Sequence, residues 1–426
     1  MIAFARFKPR PLAIKPHYTP EDVTVVVPTT FGKPSEIVQC FKQILQCAPS
    51  QLLIVTANSK VDAVKAACKL EHLENFTVYG VPKLNKRLQM LEALKHIETA
   101  VTVFADDDVD FQHSGFLRHL LASFEDGTVG AAGPQQRTRR ETNPSIWNFL
   151  GIAYLERRNF NTGATNHIDG GISTLSGRTQ AILTHILKNE TFFHYFVNDS
   201  FLGRKLMVDD DKCLTRYIYS CGWKIALNFD PLCTIETTQE DSIKYLDQCV
   251  RWARAHWRGN LIVMLKETYW YKVHWYTLYA IYFSQFQTPA LAVDGFLFWL
   301  LYCVLNPYAA YRASSPYSHS TQLLAYISFT IWVIFTKIVK LIPHLCRYPQ
   351  DIRFLPISIA FSYFHGIINI YALLTTHTTV WGSRILEHET KHTLQATTPL
   401  LLQAPVSAHV ALKVSRSRLG LNKVID

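Results

Sequence analysis

The chain has 426 residues, 48% of them hydrophobic and 18% charged, with a formal net charge of +10. That is too apolar for a purely soluble enzyme and too polar for a chain embedded throughout in a bilayer, so it implies a soluble part joined to a membrane part. The basic balance suits an anionic membrane surface or a nucleotide phosphate, and the dispersed Lys and Arg, with no basic run, argue against nucleic acid.

Residues 1–20 carry Arg6, Lys8, Arg10 and Lys15 among four prolines and have no apolar core, so they read as a basic cytosolic arm near a membrane rather than a secretory signal. The nine cysteines are odd in number and form no C-x-x-C pair, as expected of reduced cytosolic thiols.

From residue 21 strands and helices alternate. Strands are predicted over 23–27 (stopped by Pro28), 52–56, 76–79 and 101–105, and helices over 33–47, 61–70 and 84–97, the last with an apolar stripe of Leu84, Leu88, Leu91 and Leu94. This is the pattern of an α/β, doubly wound, mostly parallel sheet. Beyond Asp110 the alternation loosens. A helix is predicted over 116–124, a short strand over 129–132 ending at Gly133-Pro134, an aromatic helix over 146–158, and a strand entering a Gly-bounded turn over 170–177. A helix over 211–221, a strand over 223–227 and a long helix over 242–265 follow.

The character then changes. Residues 275–305 carry Asp294 as their one charge and are interrupted by Pro289 and Gly295, which suits a span plus an interfacial helix, or a hairpin. The runs 322–342 and 352–374 approach the roughly 20 residues that cross a bilayer. Lys337 and Lys340 are placed to snorkel, and Trp270, Tyr271, Trp275 and Trp381 to form an interfacial belt. The expected organisation is a basic arm (1–20), a cytosolic catalytic domain (21–240), an interfacial helix (241–272), a transmembrane region (273–381) and a polar tail (382–426).

Four features bear chemistry. Asp106-Asp107-Asp108 stands at the carboxyl end of a buried strand, where ligands gather in open α/β sheets, and its oxygens suit Mg²⁺ or Mn²⁺ bridging to phosphates. A solvated acidic turn is the bland alternative. Lys86-Arg87, early in the preceding helix, could neutralise a diphosphate or be a solvated pair. Asp209-Asp210-Asp211 precedes a helix; capping explains one carboxylate, and crowding raises the pKa of another, as a general base requires. Gln248, Arg251 and Trp252 share one face of the long helix, offering an amide, a guanidinium and an indole platform, although an amphipathic helix with a core Trp would have the same spacing.

Val25-Val26-Val27-Pro28-Thr29, Lys86-Arg87, Asp106-Asp107-Asp108, Ser176-Gly177, the run from Asp209 to Arg216, and Gln248-x-x-Arg251-Trp252 occur in the order of the family 2 glycosyltransferases, the membrane-embedded cellulose, chitin and hyaluronan synthases. Trp147-Asn148-Phe149-Leu150, the run from Leu155 to Phe160, and Asp169-Gly170-Gly171 most resemble the fungal hyaluronan-synthase-like type 2 enzymes. The resemblance covers about 23–260. It implies a GT-A type fold and an inverting transfer from a UDP-sugar to a growing β-linked glycan, with a glycolipid-forming, ceramide-glucosylating activity as the alternative. It also implies a multi-pass protein in contact with membrane lipids, in the plasma membrane, with its catalytic domain cytosolic.

By position, the resemblance places Thr29 at the uridine, Lys86 and Arg87 near the diphosphate, and Asp106 and Asp108 on nucleotide and metal. Ser176 and Gly177 shape the acceptor end, Asp211 is the base with Asp210 beside it, Gln248 and Arg251 hold the pyrophosphate, and Trp252 stacks on the acceptor sugar. Thr30, where relatives carry an aromatic, and Asn58, where many carry a carboxylate, depart from the pattern at the uracil end.

Overall fold

The computed structural model describes residues 1–267, 274–287, 289–307 and 315–379. Trp270, Tyr271, Trp381 and the tail 382–426 lie outside the described residues.

The strands are Val23–Pro28 (β1), Gln51–Ala57 (β2), Phe76–Val81 (β3), Val101–Ala105 (β4), Val109–Phe111 (β5), Val129–Thr138 (β6), Thr179–Leu183 (β7), Ser200–Phe201 (β8), Arg204–Lys205 (β9), Lys224–Asn228 (β10) and Thr234–Thr237 (β11). Nine of them form one sheet in the order β3-β2-β1-β4-β7-β6-β11-β5, with β10 beside β6. The first four are parallel. β1 and β4 are buried along their whole length, as expected of β-branched runs covered on both faces. β7 then enters antiparallel to both β4 and β6. This is the mostly parallel α/β sheet that the resemblance implies, and it directs the carboxyl ends of β1, β2 and β4 to one edge.

Three elements differ from expectation. Residues 170–177 are not a strand. Gly170, at φ 74°, ends the Ile146–Asp169 helix, and the amides of Ile172 and Leu175 then donate to Tyr219 Oη and Thr215 Oγ1 of the Asp210–Ser220 helix instead of to a ladder. β6 runs through Gly133-Pro134. Up to Pro134 it pairs with β10, and from Gln135 with β11, so the proline sits where the strand changes partner. The Ile146–Asp169 helix is eleven residues longer than predicted, with Gly163 packed closely against Phe4 and Phe229.

Residues 1–20 are fastened to the domain. Phe4 stacks on Phe160 at 4.8 Å, Phe7 meets Phe229 edge-on, and the Arg10 amide donates to Asn228. All nine cysteines are free thiols.

Among the described residues two helices are long and apolar enough to cross a membrane, His319–Arg347 and Pro349–Leu374. Leu324, Ile331, Trp332 and Ile367 on them are exposed, as a lipid-facing surface requires. Trp275–Phe286 and Ala290–Leu305 form a pair bent by 94°, which would count as a third span. Lys337 forms an ion pair with Asp294 of the neighbouring Ala290–Leu305 helix at 2.8 Å, so each charge within this apolar region has an opposite charge beside it. The Tyr245–Lys266 helix lies against Leu355–Leu374, with Trp257 Nε1 donating to Asn369 O and Arg254 Nε to Thr375 Oγ1.

Candidate active site

The β4 end, the start of the Lys86–Leu94 helix, the 176–178 loop and the start of the Asp210–Ser220 helix converge on one cleft. Lys86 is its hub. Asn85 caps its helix by accepting from the amides of Arg87 and Leu88. Lys86 Nζ donates to Asp106 Oδ1 at 2.6 Å and to Gly177 O at 3.3 Å, and lies 3.5 Å from Asp210 Oδ2. Burial opposes the charged amine, but Asp106, Asp210 and Asp211 outweigh it and push its pKa up. A Cβ on Gly177 would meet Lys86 Nζ at 3.1 Å and Asp210 Oδ2 at 3.4 Å, so glycine keeps the cleft open at its centre.

The carboxylates are unevenly satisfied. Asp107 accepts from Thr29 Oγ1 at 2.5 Å. Thr29 is itself fixed, since its amide donates to Val55 O, its hydroxyl accepts from Phe31 N, and Gln89 donates to its carbonyl. Asp108 stands at the cleft mouth, where the surrounding walls and the charges of Asp106 and Asp107 push its carboxyl up. Asp210 Oδ2 is buried and accepts no hydrogen bond. Asp211 is half-buried, and burial followed by the Asp210 charge pushes it up to about 6.

Arg87 does not join Lys86. It is 1% exposed and turned into the protein, donating to Phe196 O at 2.7 Å, Asp199 Oδ2 at 2.9 Å and Val208 O at 2.6 Å. Consecutive helix residues diverge by about 100°, so one cation reaches the cleft and the next anchors the scaffold. Arg216 reaches the other oxygen of Asp199 at 2.8 Å.

The Tyr245–Lys266 helix borders the cleft through Trp252, which faces Arg178, and Arg258, which reaches Asp209. Trp252 stacks on Tyr154 with centroids 4.4 Å apart, and Arg178, next to Gly177, lies 5.4 Å from its ring. Arg251 lines a small cleft with Val208, Asp209, Arg254, Arg258 and Thr378. Gln248 accepts from the Glu240 amide at 3.4 Å. Ser176 is buried and its hydroxyl accepts from the Arg178 amide.

Several residues near the cleft had no role assigned from the sequence. Arg158 donates to Thr174 O, and burial and then Arg178 press its pKa down to about 10. Lys212 is buried against Gly259, with burial pressing it down to about 8. Lys60 donates to Thr30 O at 2.8 Å and holds the loop after β1, where Phe31 has φ 51°. Arg158 and Lys212 lie inside the runs 155–160 and 209–216 that carry the family resemblance, but no role was attached to either, and only the tertiary fold brings them and Lys60 near the cleft.

A family model described as glycosyltransferase like family 2 matches residues 20–255. A type 2 glycosyltransferase of Gibberella zeae is 40% identical over 383 residues, covering 89% of this chain and 71% of that protein. The chain belongs to the family 2 glycosyltransferases. A hyaluronan synthase of Streptococcus pyogenes is 22% identical over 88% of this glycosyltransferase and 85% of its own length. Among solved structures, a mannosyltransferase from Pyrobaculum calidifontis in complex with GDP-Man and Mn²⁺ has 16% identity and a TM-score of 0.46, covering 78% of this chain and 93% of that one.

Proposed function

We propose that this glycosyltransferase moves a sugar from a UDP-sugar to a growing polysaccharide, inverting an α-linked donor to a β-linked product. The observation that carries the reading is Lys86, which joins the two acidic triplets across a cleft that Gly177 keeps open. The donor lies along the ends of β1, β2 and β4, its nucleoside against the Thr29–Phe31 loop and its diphosphate towards Lys86, Asp106, Gln248 and Arg251.

A divalent cation, Mg²⁺ or Mn²⁺, would be held by Asp106 and Asp108 and would supply positive charge for the leaving diphosphate. The residues fit such an ion. Two carboxylates crowd one turn, Asp108 is pushed up by its neighbours, and two protein oxygens completed by phosphates and water are what Mg²⁺-type sites use.

Asp211 takes the proton from the acceptor hydroxyl, whose oxygen attacks the anomeric carbon. The bond from that carbon to the phosphate oxygen breaks, and its electron pair leaves with UDP beside Lys86. Asp210 keeps the Asp211 carboxyl basic by its charge. Ser176, Gly177 and Trp252, with Tyr154 behind the indole, hold the terminal acceptor sugar. The catalytic domain faces the cytosol, and the apolar helices carry the enzyme in the plasma membrane as a multi-pass protein whose helices could pass the growing chain across.

UDP release from a panel of UDP-sugars with Mg²⁺ or Mn²⁺, followed by partition of the product between water and organic solvent, tests the reading. A water-soluble polymer is expected. An organic-extractable glycolipid contradicts the acceptor assignment, and GDP-sugar turnover without UDP-sugar turnover contradicts the donor.

A further inference from the structure

Asp209, the first of the second acidic triplet, is absorbed by none of these roles, and its backbone is unusual. It sits at φ 59° and ψ 42°, the left-handed region that a non-glycine residue seldom adopts. Such a conformation persists where the surroundings over-determine it, and here they do so from two sides. Arg258 grips its carboxylate with a fork, Nε to Oδ2 at 2.7 Å and Nη2 to Oδ1 at 3.1 Å. Arg87 donates to the carbonyls of Val208 at 2.6 Å and Asp209 at 3.4 Å.

The remaining arm of Arg258 goes elsewhere. Nη1 donates to the carbonyls of Thr376 at 3.2 Å and Thr378 at 3.0 Å, in the chain that leaves the last apolar helix at Leu374. Arg258 is 3% exposed and lies on the same helix as Gln248, Arg251 and Trp252. One guanidinium therefore ties together the residue before Asp210-Asp211, the interfacial helix, and the backbone that emerges from the membrane region. Lysine could not do this, because a point ammonium lacks the planar fork.

We propose that Arg258 is a positioning residue whose fork on Asp209 aims Asp210 and Asp211 into the cleft and makes that aim depend on the seating of the 376–378 segment. This rests on the reading of Asp211 as the base. The left-handed turn at Asp209 fixes the direction in which the helix starts, and the two catalytic carboxylates occupy its first two positions. A shift of the last apolar helix, transmitted through the Thr376 and Thr378 carbonyls, would loosen the fork and with it the base.

The test uses the full chain in detergent or nanodiscs, with Arg258→Gln, Arg258→Lys, Asp209→Asn and the double variant Asp209→Asn/Arg258→Gln. Asparagine tolerates the left-handed conformation, so Asp209→Asn keeps the turn while weakening the fork. Each single variant is expected to lose about 10–100-fold in kcat, the scale of a misplaced catalytic group, with UDP affinity and donor KM within about twofold. The double variant is expected to be no worse than Arg258→Gln, since both changes remove one interaction. Multiplying losses, a matching loss of UDP affinity, or full kcat in Arg258→Gln would overturn the latch. Turnover by Asp211→Asn would instead overturn the assignment of the base, so the two failures are distinguishable.

Discussion

Asp106-Asp107-Asp108 leaves a strand, whereas Asp209-Asp210-Asp211 enters a helix, and the two triplets divide their labour in the same way by different means. At the strand end, the middle carboxylate turns to the Thr29 hydroxyl, and Asp106 reaches Lys86. At the helix start, the first carboxylate is taken by Arg258, while Asp210 approaches Lys86 and Asp211 stays half-buried with a raised pKa. Each triplet gives up one member to a side chain of a distant element, Asp107 to Thr29 and Asp209 to Arg258. Lys86 touches both triplets, so on the proposed reading it lies between the donor side and the acceptor side, perturbing it should affect both, and perturbing its neighbours should separate them.

The largest effect is expected one residue away, at Arg87. Asp199 is buried between Arg87 and Arg216, and removing one partner of a buried pair costs about 3–5 kcal/mol. Arg87→Ala should therefore lower the unfolding temperature sharply in a thermal melt. A stable Arg87→Ala enzyme with only a raised donor KM would return Arg87 to the diphosphate.

Lys86→Met should follow, with kcat falling about 10²–10³-fold, the range for a lost charge-stabilising donor. Steady-state kinetics should show this with the fold intact by circular dichroism; an unchanged kcat would remove the bridge between the triplets. Gly177→Ala should be milder, about 10–100-fold in kcat, because the added methyl meets Lys86 Nζ and Asp210 at 3.1 and 3.4 Å and must displace them slightly. Wild-type rates in that variant would mean that the cleft has more room than its geometry shows.

The smallest effect is on pH dependence. As the proposed base, Asp211, pushed up to about 6, would have to be ionised, so kcat should rise with pH through an acid limb near that value. Asp210→Asn removes a neighbouring negative charge, which makes ionisation of Asp211 easier and moves the limb to lower pH. A limb that stays put or moves up would separate the two carboxylates.

Much of this was legible in the sequence, for identifiable reasons. The run Val23 to Val27 is β-branched and buried on both faces, so its pattern survives into the structure unchanged. The carboxylates sit at a strand end and a helix start, where local rules already favour ligands and charges. The roles of Arg87 and Asp209 were hidden because their partners, Asp199 and Arg258, are 112 and 49 residues away. The loop at 170–177 resembled a strand because its β-branched residues have the composition of one; its amides are instead taken by Tyr219 and Thr215, which no local pattern announces. Arg158, Lys212 and Tyr154 come near Asp211 and Trp252 only through the packing of three helices.

The division between the triplets is tested most directly by titrating UDP with Mn²⁺ into Asp108→Ala and Asp211→Asn side by side, and assaying transfer by each. Asp211→Asn is expected to bind UDP as the wild type does and to transfer nothing above background, whereas Asp108→Ala is expected to lose the Mn²⁺-dependent part of UDP binding together with activity. Turnover by Asp211→Asn, or Mn²⁺-dependent UDP binding that survives in Asp108→Ala, would contradict that division.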